Sequence, residues 1–211
     1  MTAVTGDPEG PAPSSVDGRS ARRTRNRDAV LDAVHELFTE RNTFPTLESV
    51  AARSGVSLRS IHRYFPDNQG MMLEAIARRV ALTDPLFQLD GLGQGTLEER
   101  ITSLVDQRLA IYAASSATIR VALAVADTMP LIAAQVQHRQ RELAGQARTH
   151  FAREAKAMPA GHAEAMLTCV ELLCQFESID LLLEHRGWPT SAVRETLRSG
   201  LRALLSDPSA G

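Results

Sequence analysis

Apolar side chains recur along this chain every three or four residues, the spacing of one helical face, and no stretch needs the two-residue alternation of a half-buried strand. Val30, Ala33, Val34, Leu37 and Phe38 share one face of an amphipathic helix over residues 28–41, ended by Asn42-Thr-Phe-Pro45. Two short helices follow within 47–65. Pro66-Asp67 then breaks the chain, and Asp67 caps a fourth helix running to residue 82. Leu97, Ile101, Leu104, Val105 and Ile111 form a stripe that stops near Ser115-Ser116, and a shorter alanine-rich helix continues to about residue 126. Met129-Pro130 opens a long helix that ends before Met158-Pro159, and another covers 162–185. Arg186-Gly-Trp-Pro189 stops one helix and restarts the next, glycine closing and proline opening, so a last helix covers 191–205. The expectation is an all-α protein of about nine helices.

One stretch among these carries exposed hydrogen-bonding groups on a short helix: residues 47–65, LESVAARSGVSLRSIHRYF. Ala51 is small where two helices must cross closely, and Gly55, four residues later, suits a turn that needs φ > 0. Ile61 plugs the angle between the helices, with Val50, Val56 and Phe65 completing an apolar seam. Ser57 caps the second helix. Leu58, Arg59, Ser60, His62 and Arg63 remain on or near the outer face, and a short helix with such donors fits a DNA major groove. An ordinary helical hairpin inside an all-α core shares the Ala-x-x-x-Gly spacing alone.

The run SVAARSGVSLRSIHRYFPDNQGMMLEAI resembles the helix-turn-helix region of the tetracycline-repressor (TetR) family. The matching parts are the Ala-x-x-x-Gly-Val-Ser turn, the aromatic pair Tyr64-Phe65 and the hydrophobic start of the next helix at Met71-Met72-Leu73. The specific match covers about residues 27–80; beyond it only length and helicity agree. The resemblance implies a reading head at 19–66 and a ligand-binding and dimerisation body at 67–211, with 67–82 as linking helix and 83–96 as connector. It assigns Thr46 to a DNA phosphate, and Tyr64 to the backbone with it. Arg59 and Arg63 would meet guanine edges or phosphates, and Leu58 and Ser60 bases or thymine methyls. Two positions depart from the family pattern. Asn68 stands where a phosphate-gripping lysine is usual, and His62 where tyrosine is common.

Charge sharpens this division. Net charge over the 211 residues is −2, yet residues 19–82 hold eleven arginines against seven acids, while 83–211 hold twelve bases against fifteen acids. Basic charge is thus concentrated around the reading head, as phosphate contact requires. Residues 1–18, rich in Pro, Gly, Ser and Ala, read as a disordered tail. Arg19, Arg22, Arg23, Arg25 and Arg27 follow, as a solvated lead-in or as an arm, led by Arg22 and Arg23, that touches phosphates or enters the minor groove. Cys169 and Cys174, five apart on one helix, point in different directions and read as small buried hydrophobes in a reducing compartment. No apolar run approaches the roughly 20 residues that span a bilayer, so a cytoplasmic protein without a membrane partner is expected.

No catalytic motif, cofactor motif or metal site is legible. The six histidines are scattered; His138 and Glu142 read as a surface ion pair; Gly91, Gly93 and Gly95 lack the strand and lysine of a phosphate cradle and read as a connector. The last two helices carry more apolar surface than one core consumes. Leu181, Leu182, Val193, Leu197, Leu201 and Leu204 are therefore expected to form a two-fold homodimer interface. By resemblance, a small-molecule effector enters among the helices after the connector, with Phe87, Tyr112, Met129, Met166, Gln175 and Phe176 as pocket candidates, and shifts helix 67–82. With 4% aromatic residues, an aliphatic ligand is favoured over a flat stacking one. The function expected is a dimeric transcriptional regulator, a repressor released from a palindromic operator. The rivals are a DNA-binding protein without effector and a helical interaction module.

Overall fold

The computed structural model describes residues 15–41 and 43–206, and among them every regular element is a helix. The ten α-helices are α1 (Ser15–Arg41), α2 (Leu47–Ser54), α3 (Leu58–Tyr64), α4 (Asn68–Thr83), α5 (Leu97–Val125), α6 (Pro130–His150), α7 (Ala152–Ala157), α8 (Ala160–Cys174), α9 (Phe176–Asp180) and α10 (Thr190–Leu205). Short 3₁₀ turns follow α4 and α5, and a π-turn spans Leu181–His185. The tail expected at 1–18 lies outside the described residues up to residue 14; from Ser15 onward the chain is already α1.

Two apolar clusters hold the molecule together. One packs α1 to α4 around Leu37, Phe38, Ile61 and Met71 and continues into the second half of α5 and the start of α6 through Val121, Ala122, Met129 and Ile132. The other joins the first half of α5 to Phe151, α8, α9 and α10. α5 is common to both. Its start is fixed by a capping box in which Thr96 Oγ1 accepts from the Glu99 N–H at 3.3 Å and the Glu99 carboxylate accepts from the Thr96 N–H at 2.8 Å.

The structure corrects the sequence reading at four helix boundaries, each time because packing outweighs local preference. The break expected at Ser115-Ser116 does not occur. No glycine or proline lies between Leu97 and Val125, and Ser115 and Thr118 face inward, so burial carries the helix through. Conversely, the helix expected to run from 129 to 157 breaks at Phe151. The buried Arg100 guanidinium takes the His150 carbonyl at 2.7 Å, an acceptor of the helical ladder, and lies over the Phe151 ring. The helix expected over 162–185 breaks at Gln175, whose extended backbone lets Phe176 stack on Tyr112 at 5.5 Å. Finally, α1 starts thirteen residues before the residue 28 expected from its apolar stripe, because the arginine-rich lead-in is helical as well.

α5 also corrects the membrane argument: Leu97–Thr128 is, by length and composition, apolar enough to cross a bilayer. Its apolar positions are spent instead on the clusters just described, and the buried Arg100 and Arg108 interrupt them. α10 lies against α5 through Val193, Leu197, Leu201 and Leu205, all buried, flanked by Arg194 and Arg198 on Asp106 (2.9 and 3.1 Å) and Arg202 on Glu98 (2.6 Å). Such exposed pairs add little stability but agree with a single register. Val193, Leu197 and Leu201 are therefore the protomer's own core, which removes them from a dimer interface.

The buried Arg100–Glu154 pair stands apart from these surface pairs. Burial pushes the Glu154 carboxyl up, but the Arg100 hydrogen bonds and charge outweigh it and hold the group below its ordinary value. With the folded value depressed, the stabilisation is complete above about pH 4.3, the ordinary glutamate value, and disappears as pH falls through the folded value. Glu154→Ala leaves Arg100 buried without a counter-charge and is expected to cost about 3–5 kcal/mol at pH 7. Urea denaturation should show that cost shrinking on acidification as the wild-type carboxylate protonates.

Candidate nucleic-acid interface and effector cavity

α2 and α3 owe their geometry to three local devices. Thr46 caps α2, its Oγ1 accepting from the Ser49 N–H at 3.3 Å, while the Ser49 hydroxyl donates back to the Thr46 carbonyl at 2.8 Å. Gly55 ends α2 at φ 68°, a left-handed conformation that costs residues with a Cβ, and its N–H donates to the Ala51 carbonyl at 3.1 Å. Ser57 caps α3 through the Ser60 N–H at 3.4 Å, and Phe65 leaves the helix in extended backbone before Pro66. Val50, Val56, Ile61 and Phe65 are buried against α1, so the sequence's apolar seam is the hinge of this hairpin.

What remains outward on α3 is Leu58, Arg59, His62 and Arg63, all exposed, with Ser57 exposed at its start and Ser60 half-buried. Tyr64 is the exception, its ring turned into the hairpin while its hydroxyl borders the cleft against α1. It is 8% exposed, and its hydroxyl accepts from Asn26 of α1 at 3.4 Å and from Arg63 at 3.3 Å, which hold its phenol below the ordinary value. Its visible role is to position Arg63, whose guanidinium lies 5.2 Å over its ring.

Arg22 and Arg23 are exposed on α1, and a cleft lined by Arg23, Arg27 and Tyr64 separates that helix from α3. These arginines stand on a regular helix about 10 Å wide rather than on an extended arm. α1 is joined to α4 by Arg27–Glu74 at 2.5 Å and Arg78–Asp32 at 3.0 Å, and Arg27 lies 5.3 Å over Phe65. Asp67 caps α4 through the Gly70 N–H at 2.7 Å, and Asn68, the family's lysine position, is half-buried.

Behind the head lies a cavity of about 730 Å³ bordered by α4, α5, α6, α8 and α9. Of the pocket candidates, Phe87, Tyr112, Gln175 and Phe176 line it. Met129 and Met166 do not: they are buried in the two apolar clusters, Met129 beside Ile132 and Met166 beside Val170. The Tyr112 hydroxyl donates to Asp180 at 2.9 Å and accepts from Arg120 at 2.7 Å; burial and then Asp180 push it up to about 12. Sequence reasoning missed the polar residues of the wall, Arg79, Arg108, Ser115 and Arg139. Their signal was present in α5, where Arg108 and Ser115 interrupt an otherwise apolar face at helical spacing.

Other assignments shift as well. His138 is exposed, and Glu142 pairs with Arg139 at 2.8 Å instead. Both cysteines are free thiols, but only Cys174 is buried; Cys169 is exposed on α8. Leu181 is exposed, and Leu182 and Leu204 are half-buried.

Two curated relatives bear on this arrangement, both named HTH-type transcriptional regulator BetI, from Escherichia coli O17:K52:H18 strain UMN026 and from E. coli K12 strain DH10B. Each is 32% identical over 158 residues, covering 71% of this chain and 79% of the relative. No family model matches the sequence.

The caps give a direct check on the hairpin. Thr46→Ala should lower stability by about 1 kcal/mol through loss of the α2 cap, and Thr46→Ser should restore it. Thermal unfolding without DNA reads this cost separately from any phosphate contact.

Proposed function

Because this chain belongs to the TetR family of helix-turn-helix transcriptional regulators, we propose that it works as a homodimeric repressor released from a palindromic operator by a small molecule. DNA binding and transcriptional regulation are the family's common function; dimer, effector and repression are our reading. The observation that carries it is α3 itself: a seven-residue helix held between Gly55 and Pro66, buried on one side and presenting Leu58, Arg59, His62 and Arg63 on the other. On this reading α3 enters the major groove, with Arg22, Arg23, Thr46 and Ser57 beside it at the phosphates. The protein acts where the DNA is, in the cytoplasm, and performs no catalytic step.

One copy of α3 makes too few contacts for a specific site, whereas two copies about 34 Å apart read successive major-groove faces. The face offered for that pairing is the outer side of α8 and α10. His162, Ala165, Cys169 and Leu172 on α8, with Thr196, Ser199 and Ala203 on α10, are exposed at alternating three- and four-residue steps. Leu172, 52% exposed, is the largest apolar group among them. Small neighbours permit close approach of two such helix pairs as a four-helix interface.

Release would run through α4. Its Met71, Met72, Ala75 and Ile76 belong to the head's core, while Leu73, Ile76, Arg79 and Val80 border the cavity. A ligand that fits better with α4 displaced changes the separation of the two α3 helices. A coupling of about 1–3 kcal/mol loosens DNA 5–150-fold.

Selection of bound sequences from random DNA at fixed salt should return a palindrome. On that site, Arg59→Ala or Arg63→Ala is expected to cost about 1–3 kcal/mol and to relax one base position if the arginine reads a base; a uniform loss with a salt slope shallower by about one assigns it to a phosphate. Leu172→Glu should sediment as a monomer and lose the palindrome. A dimer that persists in that variant moves the interface elsewhere.

A further inference from the structure

The effector cavity is not electrically neutral. Four arginines border its apolar wall, and they are not equivalent: Arg141 is exposed and donates to the Gln137 carbonyl of its own helix at 3.2 Å. Arg139 is neutralised by Asp84 and Glu142 and lies over Phe87 at 4.4 Å. Arg108 and Arg79 form no ion pair with any described carboxylate. Arg108, at 5% exposure, reaches from the middle of α5 and donates to the Gln107 and Gln146 amide oxygens and, at 2.9 Å, to the Leu143 carbonyl: three neutral acceptors. Burial brings this guanidinium down to about 10, which leaves it charged at neutral pH. Its neighbour Cys174 supplies no counter-charge, because burial pushes that thiol up to about 11.

The remaining polar groups point the same way. Arg79 donates one N–H to the Ala114 carbonyl and leaves its Nε buried without a partner. The Ser115 hydroxyl, two turns from Arg108 on the cavity side of α5, is 5% exposed and also unpartnered. The two bordering carboxylates are not available to them: Glu171 pairs with Arg148 at 2.8 Å, and Glu177 is exposed to solvent. A charge withdrawn from water and met only by neutral acceptors is the strongest local demand for an opposite charge, and a carboxylate meets a guanidinium through two parallel hydrogen bonds.

We propose that this cavity takes an anionic amphiphile, an aliphatic carboxylic acid whose carboxylate sits on Arg108 and whose chain lies along the apolar wall of α5 and α6 toward Ser115. The inference rests on the effector reading and adds the ligand's charge and shape. A cationic ligand of the same length is disfavoured by the same two arginines. Arg79 lies on α4 and borders the same cavity, so a ligand that fills it bears on the helix that joins the cavity to the head.

The test uses the full-length protein and three ten-carbon probes below their micelle concentrations: decanoate, decanol and decylamine. Titration calorimetry should show decanoate binding about tenfold or more tighter than either neighbour, a difference of roughly 1.4 kcal/mol. Arg108→Gln should remove that preference while still melting cooperatively, and Arg108→Lys should keep it. Decanol or decylamine binding as tightly as decanoate overturns the charge assignment and leaves the effector reading intact. Binding by none of the three overturns the aliphatic-acid proposal and leaves the effector reading, which names no chemical class, standing. Should Arg108→Gln fail to fold, the wild-type probe series decides alone.

Discussion

One sixteen-residue helix is shared between the core under the reading helix and the wall of the cavity, and on the proposed reading it joins recognition to regulation. α4 gives Met71, Met72, Ala75 and Ile76 to the core under the reading helix and borders the cavity with Leu73, Arg79 and Val80. A helix is stiff over the roughly 24 Å of such a length, so one end does not move without the other. Its attachments are of different kinds at its two sides. Toward α1 it is held by apolar packing and by charge, Glu74 on Arg27 and Arg78 on Asp32; toward α5 it packs against Ala117, Val121 and Ala122, and Arg79 donates to the Ala114 carbonyl.

The buried charges divide by the same logic. Arg100, with Glu154 and the His150 carbonyl, and Asp180, with Tyr112 and Arg120, are satisfied and serve as fixed points that break helices where tertiary packing wants a corner. Removing one member of such a pair strands the other in a medium that solvates it poorly. Arg108 and Arg79 lack that closure. Polar groups left incompletely matched at a cavity wall are costly in the empty protein, and the cost falls when a complementary ligand arrives. Stability was not maximised at this wall.

The head shows how few residues define a reading element. Gly55, Ser57, Ile61 and Pro66 settle where α3 begins, ends and turns its apolar side, and every position left over is polar or exposed. Tyr64 illustrates the limit of reading roles from neighbours. An aromatic beside an exposed arginine looks like a DNA contact in the sequence; the structure adds that its hydroxyl accepts from Asn26, thirty-eight residues away, and from Arg63, which no local spacing announces.

The chain by itself determined the helical class, the α2–turn–α3 hairpin, the basic character of the head and most of the outward residues of α3, because these follow from periodicity, capping chemistry and turn conformation over a few residues. It also placed four of six cavity candidates. Only the tertiary structure decided that α5 runs unbroken through its serines, that helices break at Phe151 and Gln175, that Met129 and Met166 are core, and that Val193, Leu197 and Leu201 face inward rather than toward a second copy. It alone brought Arg79, Arg108 and Ser115 to one cavity whose bordering carboxylates are Glu171, paired with Arg148, and the exposed Glu177. Those outcomes depend on which distant groups compete for the same carbonyl, counter-charge or apolar surface, and such competition has no signature in local spacing.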